Sequence, residues 1–497
     1  MAGAPPGEAR SASAPSLAPS LRGVIIGVDV GSSGIRVGLF DLPDSLHQVI
    51  VRPDPGAGVP PDPEQTWLAV ASAIREVVPR AQRVRAVGLT AHLATILVGL
   101  DGRPAARAML WPDTSAWREA RELGAELGQE LASITGRQPS AEAAAARVRL
   151  LARTQPGVLR RTRWLLGLKD FLVLQLTGQP CTDPSSASYT QLFDVRQRSW
   201  SPWIARACGV PLAILPSIRS GTGLAGRVTP AAAALTGLDP GVPVAVGGPD
   251  GTTGALGVGA VRAGLTVDIA GTTDVLLHIT DRPADRVSHG VVLNGYLLNG
   301  LWARGGPTGL TGGGLDWLAA TLGHDSAVAA YQSLEHCLDA ADPGDLMIRM
   351  TLSGRRLPTW NTQLRGRIDG ISGEHGPAHL LRAAEEGSAF EVRLGLDALR
   401  AAGTEISSVI LAGAPAISPR SARLRANVWG VPVSTVEERH ASLRGAILAA
   451  AVASGCFADA QEAADAMTQP LRQCQPDPAG MAVAEQRYRR WRTVMAL

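Results

Sequence analysis

Residues Val24–Asp41 read VIIGVDVGSSGIRVGLFD. An apolar run through Val24, Ile25, Ile26 and Val28 reaches Asp29, Gly31-Ser32-Ser33-Gly34 turns the chain, and Ile35–Phe40 returns in alternation. A β-rich run interrupted by small polar residues and then resumed is the pattern of a hairpin. Glycine and serine leave the backbone N–H groups of the turn open to an anion, and Arg36 adds a charge suited to phosphate. Asp29, closing a buried strand, is a candidate ligand for a hydrated Mg²⁺. Taken alone, the stretch is equally an ordinary glycine-rich hairpin, because short glycine motifs are common.

A second stretch changes that balance. Val267–Ile279, VDIAGTTDVLLHI, repeats the design: apolar strand, Gly271-Thr272-Thr273 turn, apolar strand. Two such hairpins about half a chain apart imply two similar domains facing one another across a phosphate. That layout resembles the actin-like ATPase superfamily.

Composition narrows the class. With 497 residues, 45% hydrophobic and 18% charged, the chain has material for two or three globular domains. The net charge of +3 is small, and no basic block interleaved with aromatics appears, which argues against a nucleic-acid partner. Lys169 is the only lysine, so arginine carries the positive charge. The cysteines (Cys181, Cys208, Cys337, Cys456 and Cys474) are scattered and lack CxxC spacing. Reduced thiols in a cytoplasmic protein are therefore expected, without a disulfide frame or zinc site. No apolar run has the length of a membrane span. Met1–Arg22, rich in Ala, Pro and Ser, is expected to be a disordered tail or the product of an early start codon.

Along the chain, the periodicity predicts a helix over Glu64–Val78 and strands over Val84–Leu89 and Thr95–Leu100. Helices are expected over Glu119–Thr135, Ala141–Arg153 and Trp164–Thr177, and Lys169 and Asp170 read as structural. Thr182–Tyr189 reads as a polar loop, and the glycine-dense Leu301–Leu315 as mobile loops near a cleft. Helices resume at Ala378–Ala401, and a strand Val409–Leu411 ends in Ala412-Gly413-Ala414-Pro415-Ala416. A helix Pro419–Trp429, a strand Val431–Val433 and an alanine-rich helix from Ser442 follow. His375 and His379 lack further ligands nearby, so metal binding there is rejected.

Three loops carry candidate chemistry. In Ala108–Ala116, Trp111 is placed to stack on a sugar ring and Asp113 to accept hydroxyl hydrogen bonds; a half-buried aromatic beside a helix cap is an equal alternative. The strand Val242–Val246 ends in Gly247-Gly248-Pro249-Asp250-Gly251 before a small-residue helix. An aspartate there suits removal of a proton from a hydroxyl nucleophile, with a plain helix N-cap as the competing role. The Gly413–Ala416 turn suits a nucleotide base or ribose.

These pieces, in this order, resemble the FGGY carbohydrate kinase family over roughly residues 23–455. The likeness includes LKDFLVLQLTG, TDPSSASYTQLFDVRQRSWS, LSGRRLPTWN and the segment from Gly413 through Pro432-Val433. It implies an α/β protein of two actin-like (ribonuclease H-like) domains flanking an ATP and substrate cleft. The expected division is 23–245, 246–455 and a C-terminal helical segment 456–497. It also implies ATP and Mg²⁺ as cofactors, with Asp250 as catalytic base and Asp29 near the metal. Gly31, Ser32, Ser33 and Arg36 would lie near the transferring phosphate, Gly271, Thr272 and Thr273 at a second phosphate site, and Gly413, Ala414, Pro415 and Ala416 at the adenosine.

Three departures bear on the substrate. Many family members carry Gln-Met-His-Gly where this chain has His92-Leu93-Ala94-Thr95, so His92 and Leu93 would face the sugar. Trp-x-Asp-x-Arg becomes Trp111-Pro112-Asp113-Thr114-Ser115, which loses an arginine and disfavours an anionic sugar, although Arg118 is a substitute. Gly413-Ala414-Pro415 adds bulk where a nucleotide must approach backbone. The expectation is phosphorylation of a neutral ketose or polyol. A sugar-acid kinase and a catalytically inactive sugar sensor stay open as alternatives. Dimerisation is also left open.

Overall fold

The computed structural model describes residues 23–495 except 32–33, 43–44, 58–61, 79–82, 112, 284–289, 310, 339–340, 362, 437, 439 and 469–471. The expected tail Met1–Arg22 and the turn residues Ser32 and Ser33 lie outside the described residues.

Both hairpins form where the sequence places them, and each starts a sheet of the same plan. Val24–Gly31 pairs antiparallel with Gly34–Asp41 and parallel with Val84–Ala91. Thr266–Ala270 pairs antiparallel with Asp274–Thr280 and parallel with Val409–Gly413. A further parallel strand follows in each: Pro243–Ala245 beside Val84–Ala91, and Val433–Val436 beside Val409–Gly413. Seven strands join each sheet among the described residues. The central strands are buried on both faces, which explains why they read as nearly continuous apolar runs.

The helices make the layers. Pro63–Val77, capped by Asp62, and Leu168–Thr177 cover the outer face of the first sheet. Pro377–Ala401, Pro419–Trp429 and Pro478–Val494 cover the outer face of the second. Between the sheets lie Asp250–Gly257 and Ala441–Ala453, in one core that takes Ile25, Phe40 and Ala86 from the first sheet and Val267, Leu277 and Ile410 from the second. The expected boundary at 245/246 falls at the end of the strand Pro243–Ala245, and residues from both sides of it share this core.

The central layer is very thin because glycine and alanine line it. A Cβ on Gly88 would stand 1.8 Å from the Ala446 carbonyl oxygen, one on Gly257 2.0 Å from that of Ala441, and one on Gly445 1.8 Å from that of Thr253. The small-residue composition of these helices is thus a condition for backbone-to-backbone approach.

Several local expectations are corrected. Trp164–Leu166 belong to a strand, Thr162–Leu166, paired with Ala94–Gly99; the helix begins only after Gly167, whose N–H donates to Asp170 Oδ2 at 3.0 Å. Thr182–Tyr189 is not a loop: Asp183 caps a short helix, Pro184–Tyr189, by accepting from Ser185 and Ser186 N–H. The glycine-dense Leu301–Leu315 holds the strand Trp302–Pro307 and the start of the helix Thr311–Thr321. Glycine serves close strand approach there, since a Cβ on Gly305 would lie 2.1 Å from the Leu276 carbonyl oxygen. The strand expected at Val431–Val433 runs Val433–Val436, and the 456–497 segment adds a strand, Arg472–Cys474, to its helices.

Gly445→Ala should lower stability by on the order of 2 kcal/mol, because rigid backbone faces the new methyl. Gly373→Ala, with open space around it and no left-handed backbone, should melt like the parent. Thermal melting of both variants checks the contrast.

Candidate active site

The strand pairings set the site. Parallel register places Val30 beside Ala91 and Ala270 beside Gly413, so each hairpin turn opens at the same edge as the end of its parallel neighbour. Ligands bind at such strand ends in α/β sheets. The two edges face each other across a cleft of about 320 Å³. Asp29, Gly31 and Arg36 line it from the first hairpin, and Gly271, Thr272 and Thr273 from the second.

Asp29 and Arg36 are cross-strand partners, with Nη1 to Oδ2 at 3.1 Å. The other carboxylate oxygen of Asp29, Oδ1, is buried and accepts no hydrogen bond. Burial pushes the Asp29 carboxyl up to about 6 against the pull of Arg36, with Asp250 adding a smaller push. At the second hairpin the helix Thr311–Thr321 closes tightly: Gly313 N–H donates to the Thr272 carbonyl, and a Cβ on Gly312 would lie 2.0 Å from the Gly271 oxygen.

Asp250 stands on the cleft wall at the start of the central helix. Gly248-Pro249 pair with the end of Val84–Ala91, and Thr90 Oγ1 donates to the Gly248 carbonyl at 2.9 Å. Asp250 Oδ1 accepts from Gly251 N–H at 2.8 Å, and Ser442 Oγ donates to the Asp250 carbonyl at 3.0 Å. Burial raises its carboxyl to about 6, with the Gly251 N–H and Arg36 pulling the other way. A carboxylate of that affinity is suited to accepting a proton near neutral pH.

The remaining expected residues divide. His92, Leu93 and Trp111 line both the cleft and a small inner cavity of about 60 Å³ behind it. Burial holds the His92 imidazole below its ordinary 6.5. Asp113 does not join them: its Oδ1 accepts from Ser115 N–H at 2.9 Å, and it is absent from the cleft lining. Gly413 reaches the cleft, whereas Ala414 and Pro415 line a neighbouring cavity of about 400 Å³ that shares Ala270 and Gly271 with it. Ala416 is buried and lines neither. Asp274 also lines that neighbouring cavity, its carboxyl raised to about 6 by burial against the pull of Arg425.

Other site residues went unread in the sequence. Arg147 is buried and donates to Thr95 Oγ1 and to the carbonyls of Met109, Leu110 and Asp113, which holds the loop bearing Trp111. Its signal was an arginine inside an otherwise apolar helix face. Arg137 donates to Asn294 Oδ1 at 2.6 Å and lies 4.0 Å over the Tyr189 ring. Arg356 pairs with Glu142 at 3.0 Å. The Arg137–Asn294 and Arg356–Glu142 contacts join residues 157 and 214 positions apart, so no local pattern announced them. Lys169 is buried between Asp170 at 2.5 Å and Asp183 at 3.2 Å, in keeping with a structural role.

Comparison with known families bears on the same two sheets. Residues 24–257 match the N-terminal domain, and residues 267–454 the C-terminal domain, of the FGGY family of carbohydrate kinases. The chain belongs to this family. As an FGGY carbohydrate kinase it is 29% identical over 415 residues to the xylulose kinase of Escherichia coli, covering 82% of this chain and 84% of that one. It is 30% identical to the glycerol kinase of Nocardia farcinica, covering 88% and 91%. The crystal structure of xylulose kinase from Rhodospirillum rubrum superposes with a TM-score of 0.83 at 25% identity, covering 96% of this chain and 98% of that one. Among the described residues of this FGGY kinase, no helix is long and apolar enough to cross a membrane.

Because its folded carboxyl is raised from 3.8 to about 6, Asp250 contributes stability that is complete at low pH and is lost as pH rises through about 6. Asp250→Asn should therefore stabilise the ligand-free protein near pH 8 by on the order of 2–3 kcal/mol, with the gain fading towards about pH 4. Melting curves across that range check it.

Proposed function

We propose that this FGGY kinase transfers the γ-phosphoryl group of ATP to a hydroxyl of a neutral ketose or polyol, with Asp250 as general base. One observation carries the reading. A half-buried carboxylate with raised proton affinity, Asp250, stands on the cleft wall between Gly31 and Arg36 of one hairpin and the Gly271-Thr272-Thr273 turn of the other, a turn of the kind that holds phosphate. The sugar would enter against His92, Leu93 and Trp111, and the nucleoside would occupy the cavity bounded by Ala414 and Pro415. Asp250 would then take the hydroxyl proton as the oxygen attacks phosphorus in line. Arg36 and the backbone of Gly271-Thr272 would meet the phosphate charge, so that most of the rate comes from positioning.

Mg²⁺ fits the residues present. Asp29 Oδ1 is an orphaned buried acceptor on the cleft, which suits a cation that keeps several waters and takes one protein carboxylate. When bound, the ion supplies charge neutralisation for the phosphates. Asp29 would orient it, and Arg36 holds Asp29 in place.

The sugar-acid alternative needs a free cation in the sugar pocket. The structure supplies Arg137 and Arg356 on the cleft wall, but Arg137 donates to Asn294 and covers Tyr189, and Arg356 is paired with Glu142. The Arg356 charge is balanced by Glu142, which favours a neutral substrate, whereas Arg137 has neutral partners and keeps its charge.

Asp250→Asn should lower kcat roughly 10²–10⁴-fold while changing KM for the sugar little. Coupled assays of ADP release with Mg·ATP across ketoses, polyols and sugar acids check this. A variant that keeps wild-type kcat would remove Asp250 from the base role.

A further inference from the structure

The expected hydroxyl acceptor, Asp113, is turned towards its own backbone, which leaves the question of what reads the sugar. Among the described residues, Glu142 is the carboxylate that lines both the cleft and the inner cavity, beside Trp111, His92 and Tyr189. It lies just before the helix Ala144–Thr154 in the first half of the chain, where its own N–H donates to Ser140 Oγ.

Its partner comes from the second half. Arg356 Nη2 sits 3.0 Å from Glu142 Oε1, and the guanidinium lies 5.2 Å from the Trp111 ring centre and 5.7 Å from that of Trp360. Arg356 N–H donates to the Thr308 carbonyl, which ties the residue to the end of the strand Trp302–Pro307. A guanidinium held by two indoles is oriented by its planar fork, and it in turn orients the carboxylate it binds. One face of Trp111 is thereby taken by Arg356.

We infer that Glu142 is the specificity-determining acceptor of the sugar site, positioned by Arg356 on Trp111 and Trp360. This rests on the kinase reading given above. Glu142 Oε1 is taken by Arg356, and its second oxygen remains to accept from a sugar hydroxyl. Paired with Arg356, Glu142 offers a neutral polyhydroxy ligand an acceptor oxygen, and the pair offers a sugar carboxylate no uncompensated cation.

The test compares wild type, Glu142→Gln and Arg356→Lys against neutral ketoses and polyols and against aldonates, by calorimetric binding and by Mg·ATP turnover. Glu142→Gln should raise KM for the best neutral substrate about tenfold, leave kcat within about threefold, and narrow the preference for it over the matching aldonate by about tenfold or more. Arg356→Lys keeps the charge and loses the planar stack, so it should shift KM in the same direction, with an unchanged melting temperature excluding simple unfolding. The double variant should be no worse than the poorer single one, since both act on one contact. Unchanged KM and unchanged neutral-to-acid preference in Glu142→Gln would overturn the inference while leaving wild-type turnover intact. If wild type shows no sugar-dependent ADP release with any probe, the kinase reading fails, and this inference fails with it.

Discussion

The structure depends on how closely backbone can approach backbone in its central layer. The helices Asp250–Gly257 and Ala441–Ala453 meet where Gly257 faces Ala441 and Gly445 faces Thr253, and the second helix rests on the first sheet at Gly27 and Gly88. Interiors of this density do not absorb an extra methyl without moving a neighbour. At Gly88, Gly257 and Gly445 the neighbours are main-chain carbonyls, which cannot swing aside as the Leu443 and Ile447 side chains at Gly27 can. The position of Asp250 follows, because it opens one of these helices and its carbonyl accepts from Ser442 on the other.

That constraint joins the two halves into a working unit. Each sheet delivers its hairpin to the cleft through the same register of one antiparallel and one parallel neighbour. The central helices fix the distance between the two deliveries. At the far edge, residues of the second sheet are bound to the first half: Leu293 N–H donates to the Gly136 carbonyl, Gly295 N–H to Ser188 Oγ, and Trp302 Nε1 to the Val195 carbonyl. Asp250, the two hairpins and the cleft wall that carries Trp111 come from distant parts of the chain and are thereby held together.

The cleft also concentrates electrostatic cost. Asp29 is a buried carboxylate and Asp250 a half-buried one, both with raised proton affinity, and Asp29 Oδ1 accepts no hydrogen bond. Groups of this kind destabilise a fold at neutral pH and are retained where a ligand completes them. The arginines of the sugar wall show the opposite treatment: Arg137, Arg147 and Arg356 are each engaged by protein acceptors.

Much of this was legible in the chain. The two hairpins, the helices Pro63–Val77 and Pro419–Trp429, and the strand-to-helix turn at Asp250 were readable because periodicity and glycine placement are local properties. Sequence also named part of the cleft lining, including Asp29, Arg36, Trp111, Asp250, the Gly271-Thr272-Thr273 turn and Gly413. It misread Leu301–Leu315 as loops, since glycine that permits close strand packing has the same letter as glycine that permits motion. It could not place Asp113, whose carboxylate chose between its own backbone and the pocket, nor Glu142, which matters only because Arg356 meets it from 214 residues away. Local pattern determined the elements and the phosphate-type turns. Which side chains line the cleft beside Trp111 was decided by tertiary structure alone, because that depends on contacts between segments that share no sequence neighbourhood.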